Sequence, residues 1–293
     1  MRWIAVDWGT TRLRASLMDG ARVVDTAESN RGMGKLDPSD FEPALLALIE
    51  PWLQDRTEVL LCGMAGARSG WYEAPYGMAP IKPGDLRPVR APTQDARLDV
   101  RIVPGVKQTK PRADVMRGEE TQIAGFLHQN PNFDGVLCLP GTHTKWAHIS
   151  AEEIVSFQTF MTGEMFALLS QNSVLRHSVA ESGWDDEAFG AALSETLSRP
   201  ETLAAALFAL RASDLLEGTT PEANRARLTG LLLGAELAAA RPYWLGQQVA
   251  LIGAEDLCAH YAAALNTQGV PTTAHRAADM TRAGLAAFLT EPA

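Results

Sequence analysis

Cysteine is scarce in this chain of 293 residues, and its three cysteines, Cys62, Cys138 and Cys258, stand far apart. That spacing fits neither a disulfide framework nor a zinc cluster. Each cysteine lies in or beside an apolar run, which is typical of a buried small hydrophobic residue. A reducing compartment is therefore expected, and we predict a cytoplasmic protein.

Long apolar runs are missing as well. The most apolar stretch, Leu228 to Ala240, contains Glu236 and is well short of the roughly 20 residues that a membrane span needs. The first residues reach the acidic Asp7 before any stretch that is long enough for a signal peptide. These features predict neither secretion nor a membrane partner.

An excess of positive charge is absent, because 26 basic residues face 35 acidic ones and the net charge is −9. Nucleic-acid binders usually carry a basic face, so this class of partner is disfavoured. Hydrophobic residues (46%) and charged residues (21%) are close to globular averages, which argues against disordered and collagen-like chains. At about 100 to 200 residues per domain, the length predicts roughly two folded domains.

Four common enzyme motifs are also absent: Walker A, Gly-x-Gly-x-x-Gly, His-Glu-x-x-His and Gly-x-Ser-x-Gly. The chain opens instead on three predicted strands: Trp3 to Val6, Leu13 to Met18 and Arg22 to Ala27. A helix capped by Asp37 and a strand at Glu58 to Cys62 follow, which gives the pattern βββαβ. From Gly63 to Thr93 the chain is rich in glycine and proline, and we predict a binding loop there.

The three-strand pattern recurs near the middle of the chain, at Val136 to Leu139, Lys145 to Ile149 and Glu153 to Phe157. The Gly-Thr pairs at 9–10 and 141–142 align at an offset of 132 residues, which indicates a weak internal repeat. The polar, helix-breaking segment Gln129 to Asn132 marks the predicted boundary between domains 1–130 and 131–293. Helices and strands alternate after it, so the predicted fold class is α/β.

Each half of the chain thus places a Gly-Thr turn directly after a strand. The backbone amides and hydroxyls of such a turn suit a phosphate chain. Asp7 precedes the first turn, and its carboxylate is a candidate ligand for Mg²⁺, directly or through water. Either turn alone is more simply explained as an ordinary hairpin turn.

Three segments together resemble the acetate and sugar kinase, Hsp70 and actin superfamily: Ile4 to Thr11, Leu137 to Lys145 and Leu251 to Glu255. The resemblance implies two ribonuclease-H-like domains, the second with a helical insertion, and an interdomain cleft for ATP and substrate. It assigns phosphate contacts to Gly9, Thr10, Thr11, Gly141, Thr142, His143, Thr144 and Lys145, and adenosine contacts to Gly253, Ala254 and Glu255. Taken alone, Lys145 at a strand start is more simply explained as a solvated lysine.

Longer stretches look like one family within that superfamily, the 2-dehydro-3-deoxygalactonokinases. They cover residues 4–14, 62–71, 114–122, 139–146 and 160–166. The resemblance implies that ATP, with Mg²⁺, phosphorylates the 6-hydroxyl of a 2-keto-3-deoxy sugar acid. Only this resemblance distinguishes the galactonate derivative from the gluconate derivative as the substrate. One local departure is Pro140, where the superfamily often has an acidic residue or a further glycine.

A carboxylate near the sugar hydroxyl is the usual base in phosphoryl transfer to an alcohol. The segment Gly118 to Gln122 is similar to the Gly-Asp-x-Gln segment that carries the catalytic aspartate of many carbohydrate kinases, and this match implies Glu119. A match to the Glu-Glu pair of exopolyphosphatases implies Glu120 equally. Acidic residues also favour a helix N-terminus for structural reasons alone.

A sugar-acid substrate carries a carboxylate, which the planar fork of an arginine suits. Arg68 is the candidate, beside Ser69 in the glycine-rich loop, although a solvated arginine is the plain alternative. Three further cations are rivals for this role: Lys107, Arg117 and Arg14. Trp71, with Tyr72 and Tyr76, is a candidate to close over the sugar, whereas loop aromatics more often pack the loop down.

Two other functions stay open at this point. A phosphohydrolase of the exopolyphosphatase type uses the same two hairpins and a Glu-Glu helix start, but delivers water. A regulator that binds ATP or a sugar acid and signals by closing belongs to a different class. In every case the predicted partners are small molecules, and a homo-oligomer remains an open prediction.

Overall fold

The computed structural model describes residues 1–290. Its contacts divide the chain into two compact units. The first unit comprises Met1–Asp134, Ile149–Phe157 and the chain from Arg276 onward. The second comprises Gly135–His148 and Gln158–His275.

Strands and helices alternate along most of the chain. The strands are β1 Arg2–Trp8, β2 Leu13–Asp19, β3 Arg22–Ser29, β4 Thr57–Gly63, β5 Gly77–Met78, β6 Val89–Arg90, β7 Leu98–Ile102, β8 Val106–Gln108, β9 Asp114–Met116, β10 Gly135–Leu139, β11 Thr144–Ser150, β12 Glu153–Phe160, β13 Val249–Gly253 and β14 Thr272–Arg276. The helices are α1 Phe41–Ile49, α2 Glu119–Gln129, α3 Thr162–Asn172, α4 Asp186–Ser198, α5 Leu203–Glu217, α6 Pro221–Ala239, α7 Arg241–Trp244, α8 Glu255–Asn266 and α9 Ala277–Thr290.

The first unit is built on a six-stranded sheet in the order β3-β2-β1-β4-β7-β6. Strand β1 pairs antiparallel with β2 and parallel with β4, and β4 pairs parallel with β7. The two inner strands are apolar on both faces because helices and loops cover them. Helix α1 packs its apolar stripe into this core, where Phe41 contacts Trp8 at a ring-centroid distance of 4.9 Å.

A second sheet repeats that order, as β12-β11-β10-β13-β14. Strand β10 pairs parallel with β13, just as β1 pairs with β4. The common order matches the first five strands of the other sheet one for one. The predicted internal repeat and the predicted fold class, two ribonuclease-H-like domains of α/β type, are therefore confirmed.

The predicted domain limits differ from the structure in three ways. The first segment of the first unit ends at Asp134 rather than 130, and Ile149–Phe157 and α9 also belong to the first unit although both lie after that limit. Helix α9 packs closely on α2, because a methyl group on Gly284 would collide with the carbonyl of Thr121 and one on Gly125 with the carbonyl of Met280. Periodicity predicted the helix itself but carries no information about its docking partner.

The glycine-rich loop and the segment that follows it also hold strands that the sequence did not predict. Strands β5, β8 and β9 form a separate three-stranded sheet, and β6 pairs antiparallel with β7. These strands are only two or three residues long, apart from β7, so they show no measurable alternation of polar and apolar residues.

The second unit carries its additional helices beside the second sheet. Helix α6 lies against α4, where methyl groups on Gly230 or Gly234 would collide with α4 backbone. Helices α3, α5 and α6 share a smaller apolar cluster with the segment Val174–His177. In the part of the chain that the structure describes, no helix is both long and apolar enough to cross a membrane.

Candidate active site

The first turn, Gly9 to Thr11, follows β1 and exposes both of its threonines. The loop after β3 folds back on it, and the backbone amides of residues 32–34 donate to the carbonyls of all three turn residues at 2.9 to 3.2 Å. A methyl group on Gly32 would collide with the backbone of the turn. These bonds use the carbonyls of the turn. The amide of Gly9 donates to the carbonyl of Arg12 at 2.9 Å, so Thr10 and Thr11 carry the N–H groups that suit a phosphate.

Asp7 lies near the end of β1, directly opposite Arg14 on β2. Nη1 of Arg14 donates to Oδ2 of Asp7 at 3.1 Å, and 31% of the Asp7 side chain is exposed. Burial raises the pKa of Asp7 above its usual value; the charge of Arg14 opposes this shift and the charge of Glu119 adds to it. Asp7 and Glu119 are therefore electrostatic neighbours.

Glu119 and Glu120 open α2 but have different surroundings. Glu119 is half-buried, and its Oε2 accepts from the backbone amide of Arg117 at 3.0 Å. Glu120 is fully buried, with Oε2 accepting from the amide of Gly118 at 2.7 Å and Oε1 from the hydroxyl of Thr121 at 3.0 Å. Burial, with a smaller contribution from Glu119, raises the pKa of Glu120 to about 7. A ligand can reach the first carboxylate but not the second.

These acidic groups meet at one end of the first sheet. Gly63 ends β4 with φ +90° and approaches Gly118, whose φ is +110°; both values lie in the region that favours glycine. Burial raises the pKa of the neighbouring Cys62 thiol, and the carboxylates of Asp7 and Glu120 raise it further. The carboxyl ends of the parallel strands β1 and β4 thus bring the predicted acidic residues together.

The glycine-rich loop is folded against the core of the first unit. The ring of Trp71 lies 6.2 Å from Trp8 and 6.5 Å from Phe41, between centroids, so it packs the loop down. Arg68 and Ser69 are exposed on the same loop, and the Arg68 side chain, 92% exposed, comes no nearer than 3.9 Å to Glu73. Arg68 is therefore accessible, and a substrate contact for Trp71 stays a prediction.

Two of the rival cations are already engaged. Arg117 donates from Nη2 to the carbonyl of Ala74 at 2.8 Å and lies over the ring of Tyr76 at 4.2 Å. These contacts tie the loop to the strand that precedes α2. Arg14 is paired with Asp7. Neither guanidinium is as open to a substrate carboxylate as that of Arg68.

The second turn, Gly141 to Thr144, is supported by the start of α3. The amide of Glu164 donates to the carbonyl of Thr142 at 3.0 Å, and Oε2 of Glu164 lies 2.6 Å from Nε2 of His143. A methyl group on Gly163 would collide with the carbonyl of Gly141. Thr142 and His143 are exposed, so this turn, like the first, presents its tip to solvent.

Thr144 and Lys145 lie deeper than predicted. Both are buried because they begin β11, which runs inside the second sheet. Oγ1 of Thr144 lies 3.0 Å from the hydroxyl of Tyr261, and Nζ of Lys145 donates to the carbonyl of His143 at 3.1 Å. The hydroxyl of Thr144 thus faces the interior, and the solvated alternative for Lys145 is wrong.

A cavity of about 260 Å³ opens beside the second turn. Gly141 and Gly163 line it at one side, and Arg225 from α6 and His260 from α8 line it further along. The indole of Trp184 stacks on the imidazole of His260, with ring centroids 4.0 Å apart and 20° between the planes. Burial lowers the pKa of His260, so this wall is aromatic and mostly uncharged.

The predicted adenosine segment lies at the edge of this cavity. Gly253 is buried at the end of β13, and Ala254 and Glu255 are exposed where α8 begins. The cavity itself is lined from the next turn of that helix, by Asp256 and His260. The segment therefore leads into the cavity without forming its wall.

Sequence reasoning missed most of the cavity lining because five separate segments of the chain contribute to it. A signal was available in the spacing: the lining residues of α6 stand at 225, 229, 232 and 233, and those of α8 at 256, 257, 260 and 261. Each set marks one helix face. Nothing in the spacing shows that the two faces meet.

A buried carboxylate, Glu236, lies behind the cavity wall and is 3% exposed. It accepts from Nε1 of Trp146 at 2.8 Å, from the hydroxyl of Tyr261 at 2.9 Å, and through a short bond from the hydroxyl of Thr162. Burial raises its pKa, and these three donors act against that shift. In the sequence it appeared only as the charge that interrupts an apolar stretch.

Metal-binding side chains are sparse in this structure. Within residues 1–290, no group of three or more His, Cys, Asp and Glu side chains has the arrangement of a metal site. Mg²⁺ beside phosphates needs only one or two carboxylates, because water and phosphate oxygens fill its other positions. The partly exposed carboxylate of Asp7, near the first turn, fits that requirement.

Comparison with known proteins gives consistent results. The family model described as 2-keto-3-deoxy-galactonokinase matches residues 7–288. A protein of Rhizobium meliloti (strain 1021), named as a probable 2-dehydro-3-deoxygalactonokinase, is 37% identical over 97% of this chain and 95% of its own. The 2-dehydro-3-deoxygalactonokinase of Escherichia coli (strain K12) is 34% identical over 93% of this chain and 92% of its own.

A solved structure agrees with these relatives. The crystal structure of a candidate 2-dehydro-3-deoxygalactonokinase from Sinorhizobium meliloti superposes with a TM-score of 0.90 at 36% identity, over 99% of this chain and 97% of that one. The family model and this structure both cover nearly the whole chain. The chain belongs to the 2-keto-3-deoxy-galactonokinase family.

Proposed function

We propose that this protein transfers the γ-phosphoryl group of ATP to the 6-hydroxyl of 2-dehydro-3-deoxy-D-galactonate, giving the 6-phosphate and ADP. The observation that carries the proposal is the family match over residues 7–288, which includes both Gly-Thr turns and the accessible Glu119. Family membership implies ATP and a small-molecule substrate. The oligomeric state and the cytoplasmic location stay predictions.

ATP is proposed to bind through its phosphates at the two turns and through its nucleoside at the cavity. The exposed tips, Thr10–Thr11 and Thr142–His143, offer backbone amides and hydroxyls to phosphate oxygens, while Gly9 and Gly141 donate their amides within the turns. The aromatic wall of Trp184 and His260 suits a base, which stacks on such rings. Thr144 is assigned the role of holding its turn from inside.

Glu119 is proposed as the base that accepts the proton of the sugar hydroxyl. A general base must come within hydrogen-bond reach of that proton, and of the two candidates only Glu119 is accessible. Glu120 instead stabilises the start of α2, because its carboxylate accepts hydrogen bonds from Gly118 and Thr121. The adjacent glutamates thus divide into a reacting group and a structural group.

Asp7 is the residue that would hold Mg²⁺, directly or through its waters. When bound, the ion would neutralise charge on the phosphate oxygens. The protein's own contribution is positional: the first turn holds the phosphates in line with the hydroxyl, and Arg14 orients Asp7 from the next strand.

Arg68 is proposed to pair with the carboxylate of the sugar acid, with Ser69 as a neighbouring hydrogen-bond donor. The support is its exposure and its weak existing ion pair, since Arg14 and Arg117 have closer partners. A bidentate arginine–carboxylate contact would also set the orientation of the substrate.

A coupled ADP-release assay tests the proposed function. Mg-ATP is supplied with 2-dehydro-3-deoxygalactonate, with 2-dehydro-3-deoxygluconate, or with no sugar acid. Turnover that requires the galactonate derivative is expected. ADP release without any sugar acid would favour the phosphohydrolase, and ATP binding without turnover would favour the regulator.

A further inference from the structure

A chain of hydrogen bonds joins Glu236 to the second turn. The hydroxyl of Tyr261 lies 2.9 Å from Oε2 of Glu236 and 3.0 Å from Oγ1 of Thr144. Oγ1 of Thr144 in turn lies 3.4 Å from the amide nitrogen of Gly141 and 3.5 Å from its carbonyl oxygen. The chain therefore runs from α6 through α8 to the first residue of the turn.

The carboxylate fixes the direction of every bond in this chain. An ionised carboxylate only accepts, so the single proton of the Tyr261 hydroxyl is directed to Glu236. The bond between Tyr261 and Thr144 must then use the proton of Thr144. Oγ1 of Thr144 then has only lone pairs to offer to Gly141. It therefore accepts from the amide of Gly141 and does not donate to the carbonyl of Gly141.

A second path reaches the same turn. Thr162 donates to Glu236 through a short bond, and the residues after it support the turn. Gly163 packs against the carbonyl of Gly141, and Glu164 donates to the carbonyl of Thr142. One buried carboxylate is thereby connected to both ends of the turn.

The energetics argue that this carboxylate has a purpose beyond packing. A buried carboxylate is costly to desolvate, and an apolar side chain of similar size often packs as well or better. Glu236 is 3% exposed, and its three donors come from α3, α8 and β11. Such a group orders its neighbours more than it adds to the free energy of folding.

We propose that Glu236 and Tyr261 are positioning residues for the phosphates of ATP, which act by fixing the hydroxyl of Thr144 and with it the amide of Gly141. This inference rests on the proposed function, because it takes the second turn to be a phosphate site. Neither residue touches the phosphates. Their effect is to hold the turn in its binding geometry before ATP arrives.

Two isosteric variants break the chain, Tyr261→Phe and Thr144→Val, and each removes only hydroxyl chemistry. We expect each to raise the KM for ATP about fivefold, the size expected for one buried hydrogen bond, and to leave the KM for the sugar acid within about twofold. The double variant is expected to be no worse than either single variant, since both interrupt one chain. Thr144→Ser keeps the hydroxyl and is expected to behave like the wild type.

Trp146→Phe is the matched control. It removes another donor to the same carboxylate, at Oε1, but does not interrupt the path to the turn. A loss of thermal stability with an unchanged KM for ATP is expected. If Trp146→Phe raised that KM as much as Tyr261→Phe, or if Tyr261→Phe left it unchanged, the positioning role would be refuted.

Backbone hydrogen exchange separates this inference from the proposed function. In Tyr261→Phe and Thr144→Val the amide of Gly141 is expected to exchange faster, whereas in Trp146→Phe it is expected to keep the wild-type rate. An inactive wild type with this exchange pattern would refute the kinase proposal and leave the hydrogen-bond chain intact. An active wild type with unchanged exchange in all three variants would refute the chain alone.

Discussion

The two Gly-Thr turns occupy equivalent places in the repeated sheets but are held by different means. Main-chain bonds from residues 32–34 hold the first turn. One main-chain bond from Glu164 and a buried network of side chains hold the second. A main-chain support tolerates most substitutions except at a crowded glycine, whereas a side-chain network depends on single hydroxyls and on one carboxylate.

The two turns also differ in the chemistry beside them. At the offset of 132 residues, Asp7 in the first half corresponds to Leu139 in the second. Glu119 is likewise close to Asp7 in the first unit. In the proposed mechanism the first unit therefore supplies the acidic groups, and the second supplies a cavity and an ordered turn.

The largest expected effect concerns the acidic groups of the first unit. Glu119→Gln should lower kcat by about 10²- to 10⁴-fold with little change in ATP affinity, because it removes the general base. Glu120→Gln is the matched control and should keep most of the rate, since Glu120 is buried. Equal losses in both variants, measured by ADP release and ATP titration, would contradict the assignment.

The next effect concerns recognition of the substrate carboxylate by the first unit. Arg68→Ala should raise the KM for the sugar acid about 10- to 100-fold, as expected for a charge-assisted hydrogen bond, and leave the KM for ATP unchanged. Arg56→Ala removes another exposed arginine, which pairs with Asp99, and should change neither constant. An unchanged sugar-acid KM in Arg68→Ala would move this role to another cation.

A smaller effect concerns the glycines that support the turns. Gly32→Ala and Gly163→Ala should each destabilise the fold by about 1–3 kcal/mol, because the added methyl group meets backbone atoms of the turn. Gly190→Ala in α4 has open space around it and should be neutral or slightly stabilising. Urea unfolding of the three variants measures the change in the free energy of unfolding. Wild-type stability in Gly32→Ala would contradict the close packing of this glycine on the first turn.

The smallest effect is a pH dependence of stability. The folded state raises the pKa of Glu120 to about 7 from its usual 4.5, so between these values the folded protein binds more protons than the unfolded one. The stability from this group is complete below the lower value and falls as pH rises through the upper one. We expect a loss of about 1 kcal/mol between pH 6 and pH 8, beyond any change in Glu120→Gln. Identical slopes of unfolding free energy against pH in the two proteins would contradict the raised pKa.

Local chemistry in the sequence predicted the strands and turns well. The strand-turn-strand pattern around both Gly-Thr turns is confirmed because short apolar runs bounded by turn residues act within a few positions. The short strands β5, β8 and β9 were missed, since two or three residues carry no period. The docking of α9 on α2 was missed because it depends on the contact at Gly125 and Gly284.

The same distinction applies to the site. Asp7, Glu119 and the turn tips were predicted because each lies within a recognisable segment. Glu236, Tyr261 and His260 were not, because their importance arises only where three helices and a strand meet. Burial also separates Glu119 from Glu120, which adjacent positions in a sequence cannot do.

The most direct test of the different roles proposed for the two units is a single-turnover experiment on Glu119→Gln and Tyr261→Phe side by side. The ATP dissociation constant and the rate of phosphoryl transfer are measured for each variant. The account predicts a crossed result: Glu119→Gln loses transfer rate and keeps ATP affinity, while Tyr261→Phe loses ATP affinity and keeps transfer rate at saturation. If both variants lost the same quantity, the separation between a reacting first unit and a positioning second unit would be contradicted.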